Sequence, residues 1–171
     1  MTTKVLATYP DKCVGCRICE QWCSLHHGGA VNPALSRIIV HRDHRRCVNL
    51  PVACSQCIKA PCITACPVDA LRRDPATGGL ALDAPTCIGC RLCLEACPRG
   101  VIRMDPEAGV PLVCDLCGGD PRCVSHCAED AVQYLELDCV DVEIRRAYLD
   151  RAQQASAGQA HEGQSGRTGN G

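Results

Sequence analysis

The spacing of the cysteines constrains this chain more than any other feature. Cys13, Cys16, Cys19 and Cys23 follow C-x2-C-x2-C-x3-C, and Cys87, Cys90, Cys93 and Cys97 repeat that spacing. Cys54, Cys57, Cys62 and Cys66 follow C-x2-C-x4-C-x3-C; Cys114, Cys117, Cys123 and Cys127 follow C-x2-C-x5-C-x3-C. Only the gap before the third cysteine varies. A unit repeated in this way organises the whole fold, so the chain is expected to wind around its cysteines.

A thiolate is a soft ligand that suits zinc and iron–sulfur clusters. Structural zinc sites use two short-spaced ligand pairs set far apart in sequence. Three cysteines within seven residues instead wrap three corners of an iron–sulfur cube, and a remote fourth closes a different cube in two-cluster ferredoxins. Sixteen of the 18 cysteines fall into four groups of four, which predicts four [4Fe-4S] clusters. Cys47 and Cys139 are left over and read as small buried hydrophobes.

Composition agrees with a core built partly from something other than side chains. The 171 residues include no Phe, one Trp, three Tyr and two Met. Thiolate–iron bonds are expected to substitute for packing, so that the metal-free chain does not fold. A net charge of -1 lacks the basic excess of a nucleic-acid binder. The start has no apolar stretch of signal-peptide length, and no run is long enough for a membrane span. A reducing, cytoplasmic setting follows as an expectation, in which cysteines bind metal rather than pair as disulfides; export alongside a twin-arginine partner is the alternative.

The segments after the fourth cysteines also repeat. Pro67 to Asp74, Pro98 to Asp105 and Ala128 to Leu135 each read as a tight bend followed by a short strand. Asp74-Pro75-Ala76-Thr77-Gly78-Gly79 turns the chain towards Leu80-Ala81-Leu82, and Asp105-Pro106-Glu107-Ala108-Gly109 does so before Val110. After Cys23 this pattern gives way to an insert, 24–53, read as two strands, Ser36 to Arg42 and Cys47 to Val52, joined by a polar basic turn. Ile144, Tyr148 and Leu149 form a rough apolar stripe. The expected division is therefore 1–138 for the cysteine domain, 139–155 for a C-terminal helix and 156–171 for a flexible tail rich in Gly, Gln and Ser. The fold class is α+β.

Nothing in the chain reads as catalytic. No phosphate-binding glycine loop lies between a strand and a helix. His26 and His27 read as polar lining or hydrogen-bond donors near a cluster, not as ligands, because the cysteine count is complete. The run His41 to Arg46 reads as a solvated turn, with a docking patch for an acidic partner as the sharper alternative.

Residues 13–135 resemble the four-cluster ferredoxin-type subunits of multi-subunit redox enzymes. The resemblance implies two ferredoxin-like units, short antiparallel strands and short helices around four cubane clusters, with the first motif paired to the fourth and the second to the third. It implies four ligand sets: Cys13, Cys16, Cys19 with Cys127; Cys114, Cys117, Cys123 with Cys23; Cys54, Cys57, Cys62 with Cys97; and Cys87, Cys90, Cys93 with Cys66. One feature agrees independently: Cys66 and Cys97 precede proline, whereas Cys23 and Cys127 do not. Self-contained motifs are the alternative.

The first motif, Cys13 to Gly29 followed by Asn32-Pro33-Ala34-Leu35-Ser36-Arg37-Ile38, is most similar to the small iron–sulfur subunits of bacterial multi-subunit tungsten aldehyde oxidoreductases. That resemblance implies a large tungstopterin subunit and a flavin subunit that reduces NAD, with this non-catalytic chain carrying electrons between them. It also suggests a filament of copies jointed through residues 141–155, against a helix that packs on its own subunit or its catalytic partner. The electron-transfer subunits of benzoyl-coenzyme A reductase, carbon monoxide dehydrogenase and hydrogenase share the pattern. So does a free polyferredoxin; a redox sensor would need an effector region that is not evident.

Overall fold

The computed structural model describes residues 4–136. The expected helix 139–155, the tail 156–171 and Cys139 lie outside the described residues.

Among the described residues, eight short strands pair into four antiparallel ribbons, threaded between α-helices that each begin inside a cysteine motif. Strand β1 (Lys4–Thr8) pairs with β8 (Val132–Glu136), setting Val5 opposite Leu135 and Ala7 opposite Gln133. Strands β2 (Ile39–Asp43) and β3 (Val48–Val52) form the insert hairpin; β4 (Leu71–Arg73) pairs with β5 (Leu80–Leu82), and β6 (Arg103–Met104) with β7 (Pro111–Leu112).

The two expected turns take the same form. Gly78 N–H donates to Asp74 O at 2.8 Å and Gly109 N–H to Asp105 O at 3.0 Å, each glycine at positive φ (75° and 66°). A side chain is disfavoured there by its Cβ. Each aspartate carboxylate also accepts from the N–H two residues on, Ala76 at 2.9 Å and Glu107 at 2.9 Å, closing the bend.

The helices differ in length for a reason visible in the sequence. Helices α2 (Pro61–Thr64) and α3 (Leu92–Glu95) make one turn, and Pro67 and Pro98 follow soon after. Helix α1 (Ile18–Gly28) meets Ser24 where the others meet proline, and runs on until Gly29 caps it in the left-handed region, its N–H donating to Leu25 O. Helix α4 (Arg122–Ser125) stays short without a proline; Asp130 turns the chain at φ 49° just beyond.

Packing sorts the elements into two groups. One buried cluster joins Leu6, Ile38, Val40, Leu116 and Val132 to Cys19, Cys23 and Cys123. The other joins Leu71, Leu80, Val101, Ile102 and Val113 to Cys62 and Cys93. Helix α1 accordingly packs on α4, and α2 on α3. The insert is pinned to both groups: Val40 N–H donates to the buried Glu20 carboxylate at 2.6 Å, and the Arg103 guanidinium donates to Ser36 O at 2.5 Å.

Cys47 departs from expectation. It is exposed, at φ 53° in the turn between β2 and β3, because the ribbon projects that turn away from both clusters. Within the same basic run, Arg42 folds back to donate to Gly15 O, while Asp43 accepts from the N–H groups of Arg45 and Arg46.

Candidate metal centres

In the first three motifs the first two cysteines lie on a loop and the third on a helical turn; in the fourth, Cys117 lies in a short 3-10 segment, Leu116–Gly119, and Cys123 on α4. Loops of this shape need residues in the left-handed region. Gly15 (φ 72°) and Gly89 (φ 66°) supply it in the first and third motifs; Gln56 (φ 49°) and Leu116 (φ 59°) occupy the same place in the second and fourth.

Three cavities result. The first is lined by Cys54, Cys57 and Cys62 together with Cys97. The next is lined by Cys87, Cys90 and Cys93 together with Cys66. The last is lined by Cys114, Cys117 and Cys123 together with Cys23. In each, three cysteines come from one motif and the fourth from another. Cys13, Cys16, Cys19 and Cys127 also gather: burial raises the Cys13 thiol, against the Gly15 N–H, and neighbouring Cys16 and Cys127 raise it further. The described cysteines are free thiols.

The surroundings suit a negatively charged, sulfur-rich group. The walls are apolar, with Leu80, Val101 and Ile102 in one cavity and Leu6, Ile38 and Leu116 in another. Backbone N–H groups converge on sulfur. Arg37 N–H donates to Cys23 Sγ at 3.2 Å. Around Cys66, burial raises the thiol, but the N–H groups of Val68, Leu71 and Ala70 together outweigh it, so the thiol sits below the ordinary value; the bend after the motif serves as a thiolate cradle. Buried donor atoms of Arg37 and Arg99 lie without a hydrogen-bond partner, and both residues line these cavities. The residues therefore fit [4Fe-4S] ligation, with sulfide as the missing acceptor.

His27 behaves as the sequence suggests. Its Nδ1 lies 2.8 Å from Cys23 O and its Nε2 3.0 Å from Asp115 Oδ1, so both ring nitrogens face oxygen acceptors. His26 is exposed and meets the His27 ring edge-on. His26, His27 and Cys117 bring donor atoms within 4.8 Å of one another, and His27 Nδ1 also lies 3.9 Å from Cys23 Sγ.

Sequence reasoning missed Glu20, Arg37, Gln56, Arg73, Arg99 and Asp115. The signal that existed was the odd residue in the repeat: Gln56 and Leu116 stand where the other motifs have glycine. Both are buried, and Gln56 Nε2 donates to Cys114 O at 2.9 Å, tying the second motif to the fourth.

Residues 45–137 match the family model of the 4Fe-4S dicluster domain. This chain belongs to that 4Fe-4S family. The matched segment spans the second, third and fourth motifs; the first motif and most of the insert precede it. The chain is similar to the polyferredoxin-like subunit of the aliphatic sulfonate oxidoreductase of Pyrococcus furiosus, 46% identical over 75% of this chain and 73% of that protein. It is also similar to a putative electron transport protein of Escherichia coli, YsaA, 39% identical over 77% of this chain and 86% of that one. A solved benzoyl-coenzyme A reductase active-site complex contains a chain 30% identical over 80% of this one and 77% of its own length, with a TM-score of 0.49. Among the described residues of this 4Fe-4S protein, no helix is long and apolar enough to cross a membrane.

Proposed function

We propose that this chain is the iron–sulfur electron-transfer subunit of an oxidoreductase complex, and that its sixteen motif cysteines hold four [4Fe-4S] clusters in the crossed sets described above. The observation that carries this reading is the lining of the cavities, with three cysteines from one motif and one from another. When bound, such clusters accept and release single electrons. The protein's own part is to fix their order, exclude water and supply donors to sulfur.

The order follows from which cysteines feel one another. Cys19 lies close enough to Cys123, and Cys54 to Cys114, to raise those thiols beyond what burial does. Helix α2 packs on α3. These contacts support a row: the Cys13 set, the Cys114 set, the Cys54 set, then the Cys87 set. Cys16 and Cys90 are exposed at the two ends, each beside an exposed aliphatic residue, Val14 and Ile88. Electrons would enter at one end and leave at the other.

For the partners, the likeness of the first motif favours a large tungstopterin aldehyde-oxidising subunit at one end and a flavin subunit that reduces NAD at the other. The Pyrococcus relative, itself a subunit of an oxidoreductase, supports a catalytic partner rather than a free carrier. Native co-purification followed by tungsten, molybdenum and nickel analysis tests this. Co-eluting tungsten and flavin are expected; a chain that purifies alone with iron only would point to a free carrier. The ligand sets are tested by Cys23→Ser, which should perturb the cluster held by Cys114, Cys117 and Cys123. An unperturbed spectrum from that cluster would return the motifs to self-contained sets.

A further inference from the structure

The four cysteine sets do not share one electrostatic setting. Arg73 and Arg99 both line the cavity of the Cys54 set. Arg73 is held by backbone: its Nη1 donates to Gly78 O at 2.7 Å and its Nη2 to Cys57 O at 2.5 Å. Arg99 reaches Thr8 Oγ1 through Nη2 at 3.5 Å, while its buried Nε has no hydrogen-bond partner among the described residues. Among the described residues no carboxylate lines this cavity or the other two, but those carry one lining arginine each, Arg91 and Arg37, against two here.

Near each of the other sets a carboxylate acts as well. In the Cys114 set, Arg37 is opposed by Asp115, 3.9 Å away, which also binds His27. In the Cys13 set, Arg42 favours the Cys13 thiolate, while the Glu20 carboxylate disfavours that of Cys19; Arg17 is already paired to Glu20 at 2.6 Å. Near the Cys87 set, Arg91 is exposed, and Asp69 acts against Cys66.

We infer that Arg73 and Arg99 make the site of Cys54, Cys57, Cys62 and Cys97 the most easily reduced of the four, the point where electrons rest within the row. The inference rests on the relay reading above. Reduction adds one negative charge inside apolar walls, where a fixed cation acts more strongly than in water. Net charge, hydrogen bonds to sulfur and exposure set the potential of an iron–sulfur site. Two guanidiniums anchored by main chain supply the first, and the unpartnered Arg99 Nε–H can supply the second. Neither arginine is a ligand; both are positioning residues that act through the electrostatics of the site.

The test is an anaerobic redox titration of the iron-loaded full chain, followed by electron paramagnetic resonance. The couple lost in Cys57→Ser identifies this site, and it is expected to be the highest. In Arg99→Gln, the reduced-to-oxidised ratio of that couple at fixed potential should fall about tenfold, a shift of about 59 mV for one electron. Arg73→Gln should act in the same direction, Arg99→Lys should retain most of the wild-type value, and Arg46→Gln, in the exposed turn, should leave it in place. Should Arg73→Gln lose iron through loosening of Cys57, the Arg99 pair still decides the question. An iron-loaded protein in which another couple is highest, or in which Arg99→Gln moves nothing, overturns the inference alone. A wild-type chain that takes up no iron and sulfide overturns the relay reading with it.

Discussion

Trp22 stacks on His126, with ring centroids 3.6 Å apart and planes inclined by 21°. Each residue immediately precedes the last cysteine of its motif, Cys23 and Cys127, so the stack seals α1 against α4 where those two cysteines cross over. The equivalent residues in the second and third motifs are Ala65 and Ala96. Trp22→Ala should therefore loosen the first–fourth pair and leave the second–third pair intact. Loss of the stack is worth about 1 kcal/mol beyond area burial. With the four clusters proposed above, the measurable consequence is faster loss of two of them to an iron chelator. Equal loss from all four would show that the pairs are not independent. As the sole tryptophan, Trp22 should also brighten in emission when iron is removed.

Gly79 lies against the main chain of Asp115: a Cβ at position 79 would fall 2.6 Å from Asp115 O. The corresponding residue of the other hairpin is Val110, so the repeat carries glycine where β5 approaches the fourth motif. Leu80 N–H then donates to Cys114 O at 3.0 Å. Gly79→Val should displace the Cys114 loop and abolish one iron centre, because the Asp115 atoms it would strike are backbone and cannot swing aside. Val110→Gly should cost only about 1 kcal/mol from added chain freedom. Iron content after gel filtration compares them, and a fully loaded Gly79→Val protein would sink the idea.

How far these relationships could be read in advance depended on their range. The two Asp-Pro hairpins were legible because Asp74 with Gly78, and Asp105 with Gly109, close their turns locally. The crossing of Cys66 and Cys97 was hinted at by their shared proline. The pairing of β1 with β8 was not legible: Lys4–Thr8 carries neither alternation nor a nearby turn partner, and it forms only because Val132–Glu136 returns from the far end of the described chain. Nothing in the sequence marks Glu20 as buried. Its burial arises because the insert lays Val40 over it, a contact 20 positions away in sequence.

That buried carboxylate makes a third test. Glu20 is 2% exposed and accepts from Val40 N–H and from Arg17, both at 2.6 Å. Glu20→Leu removes both acceptors and strands a buried N–H, at a cost of about 2 kcal/mol; the Arg17 side chain reaches solvent and loses little. Glu20→Gln keeps an acceptor for Val40 and should recover most of the loss. Chemical denaturation of the iron-loaded protein reads the difference. Equal stability of the leucine and glutamine variants would mean that β2 is held by packing alone.

Iron removal and pH are linked through the thiols. Burial pushes Cys19 and Cys54 up to about 12 and Cys93 up to about 11, from an ordinary 9.0, and drives Cys114 well above it. In the native arrangement without metal, these thiols hold their protons at neutral pH. Their contribution to stability is present below the unfolded value of 9.0 and is lost as pH rises through the folded values of about 11 to 12. Iron binds only thiolate, so each ligand gives up a proton on loading, and loading becomes more favourable as pH rises. Anaerobic reconstitution should therefore be poor near about pH 6 and better near about pH 8, with protons released as iron is taken up. Weakly buffered titration with ferrous iron and sulfide measures both. Because the two buried clusters include cysteines among few large side chains, chelation should also collapse the far-ultraviolet circular dichroism, and pH-independent loading of an already folded chain would contradict the account.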